Sequence, residues 1–207
     1  MSKTPENHPE LILASTSATR RAILNNLKLP FSAIEPQFIE LHEALSQPRR
    51  RALENGRGKA LSIPVPITQL GSLHRLVIGS DQVCISATGQ TLHKPGTKDR
   101  AKDQLRQVSG QWVTFYTSIV VAQCGKVLKQ AVIPSQIKFR SINDIQIERY
   151  INADQPFHSA GSILIEGAGL RLIEQIKTAD VNALYGLPAL KLMDFLQELN
   201  VELSYQS

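Results

Sequence analysis

Leu76-Val-Ile-Gly-Ser-Asp-Gln-Val-Cys-Ile85, followed by His93-Lys-Pro-Gly-Thr97, is the stretch around which the chain is organised. Leu76, Val77 and Ile78 form a short apolar run without the alternation of a half-wet strand, so they read as a buried strand of an α/β sheet. Gly79, Ser80, Asp81 and Gln82 stand where that strand ends. Ligands of open α/β sheets sit beyond the carboxyl ends of strands, and a carboxylate delivered there can handle a metal, a proton or a water. A lone Asp also ends strands as a turn former, so the motif needs company from the rest of the chain.

On its N-terminal side, Glu10-Leu-Ile-Leu-Ala14 reads as a strand, and Ser17 caps a helix carrying Ile23, Leu24 and Leu27 at helical spacing. The start of that helix offers free backbone N–H groups, and Ser15, Ser17, Arg20 and Arg21 add donors and charge that suit a phosphate. An ordinary capped helix with exposed arginines accounts for the same residues. Phe31 to Glu35 follows as a strand, and Pro36 to Ser46 reads as a loop carrying Glu40 and Glu43. A helix is expected from Gln47 to about Leu61, with Pro48 in its first turn, Leu53, Gly56, Ala60 and Leu61 near one face, and Lys59 towards its end. Arg49-Arg50-Arg51 reads as the solvated start of this helix. Pro64 and Pro66 close the unit, with a surface connection from Ile67 to Arg75.

On the C-terminal side, Val83 to Ile85 stays extended, Lys94 lies in a loop, and Thr97 caps a helix through Ala101, Leu105 and Val108 that ends at Gly110. Trp112 to Ala122 and Lys126 to Ile133 make a β-hairpin, and Gln136 to Phe139 a further strand. Asn143 starts a helix through Ile147 and Ile151, Leu170 to Ile176 reads as strand, and Pro188 opens a last helix with Leu192, Met193, Leu196 and Leu199 as core. Gly161 to Ile165 fits neither pattern. The expected fold is α/β with a mixed sheet.

The 207 residues suffice for one core, or one core with two lobes, and 42% hydrophobic with 20% charged residues is the composition of a globular protein. Residues 1–9 are expected to be a disordered or extended segment, with a single domain over 10–205. No apolar run approaches ~20 residues and the first residues hold no apolar signal segment, so a cytoplasmic protein without membrane association is expected. Cys84 and Cys124, isolated from each other and from histidine clusters, are expected to be packed thiols rather than zinc ligands or a disulfide. The net charge of +5 favours anionic partners. Nucleic acid is the less favoured of these, because no aromatic residues interleave the arginine run.

Taken in order, the motifs run Leu11-Ile-Leu-Ala-Ser-Thr-Ser17 with Arg20-Arg21, Val77-Ile-Gly-Ser-Asp-Gln-Val83, Lys94-Pro95, and Ser109-Gly110 with Val113-Thr-Phe-Tyr-Thr117. They continue through His158-Ser-Ala-Gly-Ser162, Glu166-Gly167, and Asp180-Val-Asn182 ahead of Gly186-Leu-Pro188. This series resembles the Maf family of nucleotide pyrophosphatases, most closely its YceF-like branch, over nearly the whole chain. The resemblance implies a fold similar to the inosine triphosphate pyrophosphatases, with a long mixed sheet flanked by helices and two lobes around a cleft. It implies hydrolysis of a nucleoside triphosphate between the α- and β-phosphates, giving a monophosphate and pyrophosphate, with a divalent cation (Mg, Mn or Co). It further implies that Asp81 is the general base and that Ser15, Arg20, Glu40, Lys59 and Lys94 share its cleft. Chemically, Ser15, Arg20, Lys59 and Lys94 suit the substrate phosphates and Asp81 with Glu40 a metal, and the sequence leaves open whether Asp81 takes the proton itself or mainly orients the metal. A homodimer is compatible with the resemblance.

Several positions depart from the family pattern: Ala18 stands for Pro, Ile39 for the Asp before the loop Glu, His93 for the Gly before Lys-Pro, and Thr178 for Gly. Thr19, Gln82 and Glu166 occupy the specificity positions. Gln82 and Glu166 keep the YceF-like pattern associated with 7-methyl-GTP, whereas Thr19 replaces that branch's Trp. The alternative is a nucleotide- or RNA-binding regulatory module, similar to a septum formation inhibitor, with little catalysis. A carboxylate at position 81 between cations favours the enzyme, since anion binding alone gains nothing from it.

Overall fold

The computed structural model describes residues 9–41, 47–64 and 75–201. The expectations for residues 1–8, Glu43, Pro66, the connection 67–74 and the C-terminal limit of the domain lie outside the described residues.

A seven-stranded mixed sheet carries the fold. In chain order the elements are β1 (Leu11–Ala14), α1 (Ala18–Asn26), β2 (Phe31–Ile34), α2 (Pro48–Leu61), β3 (Leu76–Gly79), β4 (Gln82–Ser86), α3 (Lys98–Val108), β5 (Trp112–Gln123), β6 (Lys126–Phe139) and α4 (Asp144–Asp154). Two 3-10 turns, Ala160–Ser162 and Ala168–Leu172, precede β7 (Ile173–Thr178), α5 (Val181–Leu184) and α6 (Ala189–Glu198). The strands lie in the order β2-β1-β3-β5-β6-β7, with β4 also paired to β5. β1 runs parallel to β2 and β3, and the remaining pairs are antiparallel.

The period of the strands divides the core. Leu11, Leu13, Leu76, Ile78, Ile119 and Val121 point to one face, where α1 and α6 cover them with Ile23, Leu24, Leu192 and Leu196. Ile12, Ala14, Val77, Val120 and Ala122 point to the other, against Ala60 of α2. A third cluster joins β4, the first half of β5, the end of β6, α3 and α4 through Phe115, Phe139, Leu105, Ile147 and Ile151. β5 is long enough to belong to all three clusters, and the cleft described below opens between the two groups of elements that it links.

Four sequence expectations change. Lys126 to Phe139 is one strand rather than two, because Pro134 lies where β6 pairs only with β5; β7 first joins at Ser135, so a missing donor at Pro134 costs no pairing on that edge. The segment from Leu170 is a 3-10 turn until Leu172: Gly169 donates its N–H to Asp154 Oδ2 (3.1 Å), and a Cβ there would meet Leu164 O at 2.4 Å. Cys124 is exposed in the β5–β6 turn, not packed. On α2 the buried residues are Arg51, Ala52, Asn55, Gly56, Lys59 and Ala60, while Leu61 is exposed, so this helix turns a partly polar face inward.

Candidate active site

Asp81 sits in a gap between two strands that share one partner. Gly79 opposes Val120 and Gln82 opposes Thr117, so β3 and β4 lie on β5 in the same register either side of Ser80-Asp81. Ser118 closes the gap. Its N–H donates to Asp81 O (2.8 Å) and its hydroxyl accepts from Asp81 N (2.9 Å), which fixes the Asp81 backbone. Ser80 shares its hydroxyl hydrogen between Ser118 O (2.7 Å) and Gly186 O (2.8 Å), tying the gap to the turn after α5.

Two glycines bring α2 onto this gap. A Cβ on Gly79 would stand 2.3 Å from Gly56 O, and a Cβ on Gly56 would stand 2.4 Å from Ser118 Oγ. With both absent, the helix settles close enough for its polar face to reach Asp81. Lys59 Nζ lies 2.6 Å from Asp81 Oδ1 and 2.6 Å from Glu40 Oε1, and Asn55 donates Nδ2 to Asp81 Oδ2 at 3.0 Å. Asn55 Oδ1 accepts from Leu41 N at 2.8 Å, so one buried amide holds both Asp81 and the loop that brings Glu40. Phe38 lies over Gly58, where a Cβ would meet its ring at 2.1 Å, and anchors the same loop to the helix. Ile39, by contrast, is 90% exposed.

The N-terminus of α1 forms a second wall. Ser17 accepts from Arg20 N as the N-cap, and Ser15 Oγ accepts from Ser17 N (3.1 Å) and Arg20 Nη1 (3.4 Å). Arg20 Nε donates to Gly186 O at 2.7 Å, with Gly186 at φ +99, a left-handed conformation that favours glycine. Burial lowers the Arg20 pKa from its ordinary value, and Asp81 and Glu40 oppose that shift. Its guanidinium remains a cation. Burial alone pushes the Cys84 thiol, at the back of the cleft, well above the usual range.

A cleft of about 690 Å³ takes in all nine residues named from the sequence: Ser15, Thr19, Arg20, Glu40, Lys59, Asp81, Gln82, Lys94 and Glu166. Thr19 Oγ1 donates to Glu166 Oε1 at 3.3 Å, so two of the three residues expected to set specificity touch. Gln82 turns its amide nitrogen to the protein, donating to Ala183 O (2.9 Å), Leu184 O (3.2 Å) and Thr117 Oγ1 (3.0 Å). These bonds tie it to α5. Lys94 is exposed at the rim.

The profile of the Maf-like protein family matches residues 10–199. The chain belongs to the Maf family. Over 197 residues it is 38% identical to the 7-methyl-GTP pyrophosphatase of Bordetella avium (strain 197N), covering 94% of this chain and 95% of that one. Over 198 residues it is 37% identical to the 7-methyl-GTP pyrophosphatase of Pseudomonas aeruginosa (strain PAO1), covering 94% of this chain and 99% of the relative. Among solved structures, a HAM1 protein from Coxiella burnetii overlaps 63% of this chain and 73% of its own at 14% identity with a TM-score of 0.42, too slight a likeness to argue from.

This Maf protein's cleft also holds residues that the sequence does not mark. Asn55 carries no signal of its own in the sequence, and Arg51, expected on a solvated face, is 5% exposed and lines the cleft, with Nη2 donating to Thr91 Oγ1 at 2.8 Å. The overlooked pattern is the helical repeat Arg51, Asn55, Lys59, which puts three polar side chains on one face. Thr178, another departure, fills its position with hydrogen bonds to Ser135 (2.7 Å) and to Asp180 O (2.9 Å) at the start of α5.

Proposed function

We propose that this Maf protein is a nucleoside triphosphate pyrophosphatase that cleaves between the α- and β-phosphates and prefers a modified purine nucleotide such as 7-methyl-GTP. The observation that carries the reading is the Lys59 ammonium shared by the Asp81 and Glu40 carboxylates in a cleft also lined by Arg20 and Lys94. Pure anion binding needs the cations but not the carboxylates. The names of the relatives support the same chemistry.

Among the described residues no three His, Cys, Asp or Glu side chains form a metal cluster, so a divalent cation would rest on the oxygens of Asp81 and Glu40 and on the substrate phosphates. That donor set suits a hard ion such as Mg²⁺, which is held by one or two carboxylates and completed by phosphate and water. When bound, the ion would neutralise charge developing on the phosphates. Ser15, Arg20 and Lys94 bind and orient the triphosphate through hydrogen bonds and charge. Asp81 uses one acceptor position on Oδ1 for Lys59 and one on Oδ2 for Asn55, and a carboxylate has about four, so it retains capacity to accept the proton of the attacking water. That water adds its oxygen to phosphorus while the bridging oxygen leaves with the other product, giving nucleoside monophosphate and pyrophosphate. Asn55 and Lys59 hold the carboxylate in place.

At the base end, Glu166 can accept from N1–H and the exocyclic amine of a guanine, a donor pair adenine lacks. N7-methylation makes the purine cationic, which a carboxylate favours. Among the described residues no helix is long and apolar enough to cross a membrane, and the nucleotide substrate accords with work in the cytoplasm. The test is pyrophosphate release from a panel of nucleoside triphosphates with Mg²⁺, Mn²⁺ or Co²⁺, for the wild type and Asp81→Asn. The variant is expected to lose about two orders of magnitude in turnover with its fold intact. Tight nucleotide binding without pyrophosphate release in the wild type would instead favour the regulatory module.

A further inference from the structure

We propose that Arg51 recognises the terminal phosphate, extending the α2 face on which Asn55 and Lys59 hold Asp81 to the pyrophosphate half of the substrate; this rests on the pyrophosphatase reading above. The guanidinium is buried and lines the cleft, four residues from Asn55 and eight from Lys59 on the same face. Eight residues span about 12 Å of helix axis, so the face extends well beyond the Asp81 contacts. The segment Thr91-Leu-His-Lys94 lies against Arg51 there, and all four of its residues line the cleft. Thr91 is fixed by its bridge to Ile85 and in turn orients Arg51 through the 2.8 Å hydrogen bond. A guanidinium held in one plane presents a fork of donors matched to phosphate oxygens.

Charge sets the polarity of the bound nucleotide. Glu166, touching Thr19, would repel phosphate and accept base N–H groups, so the base lies at that contact. The phosphates then run past Arg20 and Asp81 towards Arg51 and Lys94. Arg20 and Asp81 act at the bond that breaks, while Arg51 acts on the group that leaves as pyrophosphate. Arg50, one residue away, is exposed and outside the cleft lining, and serves as the control.

Product inhibition separates the two halves of the cleft. For wild type, Arg50→Met and Arg51→Met, the inhibition constants of inorganic pyrophosphate and of GMP are measured against triphosphate hydrolysis, together with thermal melts. Arg51→Met should weaken pyrophosphate inhibition about tenfold or more, the loss expected for charged hydrogen bonds, with GMP inhibition changed less than about twofold. Arg50→Met should change neither. If Arg51→Met fails to fold, Arg51→Lys carries the test: it keeps the charge, loses the planar fork, and should weaken pyrophosphate but not GMP. Unchanged pyrophosphate inhibition, or equal weakening of both products, overturns the assignment of Arg51. A wild type that releases no pyrophosphate overturns the functional reading itself, so the two failures are distinguishable.

Discussion

Lys59 Nζ lies 2.6 Å from Asp81 Oδ1, joining the last turn of α2 to the gap between β3 and β4. The same ammonium reaches Glu40 at 2.6 Å, so a single cation draws together two carboxylates that are 41 positions apart in the chain. Both partners of the Lys59–Asp81 pair are mostly shielded from water, with side chains 7% and 10% exposed. Removing one member of such a pair leaves an uncompensated charge.

Lys59→Met should therefore destabilise the protein by about 3–5 kcal/mol and depress turnover, because Asp81 and Glu40 then face each other without a shared cation. Added Mg²⁺ should raise the melting temperature of the variant more than that of wild type, through binding to the carboxylates that Lys59 no longer pairs. Urea denaturation and melts with and without Mg²⁺ measure both effects. A variant as stable as wild type in the absence of metal would contradict the argument.

Gly79→Ala should cost about 1–3 kcal/mol, as overpacking does, and lower activity as well. The new Cβ would stand 2.3 Å from Gly56 O and 2.8 Å from Ala60 Cβ, so α2 must move away from the sheet. Asn55 and Lys59 move with it. Loss of stability with full turnover would show that the approach of α2 serves packing alone.

Thr19→Trp should widen the preference for 7-methyl-GTP over GTP by about 2- to 30-fold in kcat/KM, the equivalent of one cation–π contact of ~0.5–2 kcal/mol. The present hydroxyl donates to Glu166 at 3.3 Å and offers no aromatic face. Steady-state kinetics on the two nucleotides decide it, and an unchanged or narrowed ratio would remove Thr19 from the account of specificity.

Glu148 on α4 pairs with Lys102 and Lys98 on α3, and hydrogen bonds from these lysines lower its pKa from 4.5 to about 2. A carboxyl with a depressed folded pKa contributes stability that is fully present above 4.5 and lost as pH falls through about 2. Glu148→Gln should accordingly melt at a lower temperature than wild type at pH 7, by a small amount because the pair is exposed, and the difference should close between pH 4.5 and pH 2. Melts across that range, with a difference that persists at low pH, would point to packing rather than charge.

The sequence by itself determined the strand–loop–helix at Ser17, the capped helices at Thr97 and Asn143, and the burial of Leu76, Val77 and Ile78, because caps and apolar runs are local physics. The nine cleft residues were named from ordered motifs and their family resemblance, and the fold gathers them into one cleft. What only the tertiary structure decided depends on contacts between distant segments. Arg51 reads as one of three solvated arginines until Gly56 and Gly79 let α2 close on the sheet and turn it inward. Asn55 carries no chemistry of its own in the sequence, and acquires its part only when Asp81 arrives on one side and Leu41 on the other. Gln82 reads as a specificity residue, but α5 takes its amide nitrogen, since a buried hydrogen-bonding partner is set by topology and not by neighbours in the chain.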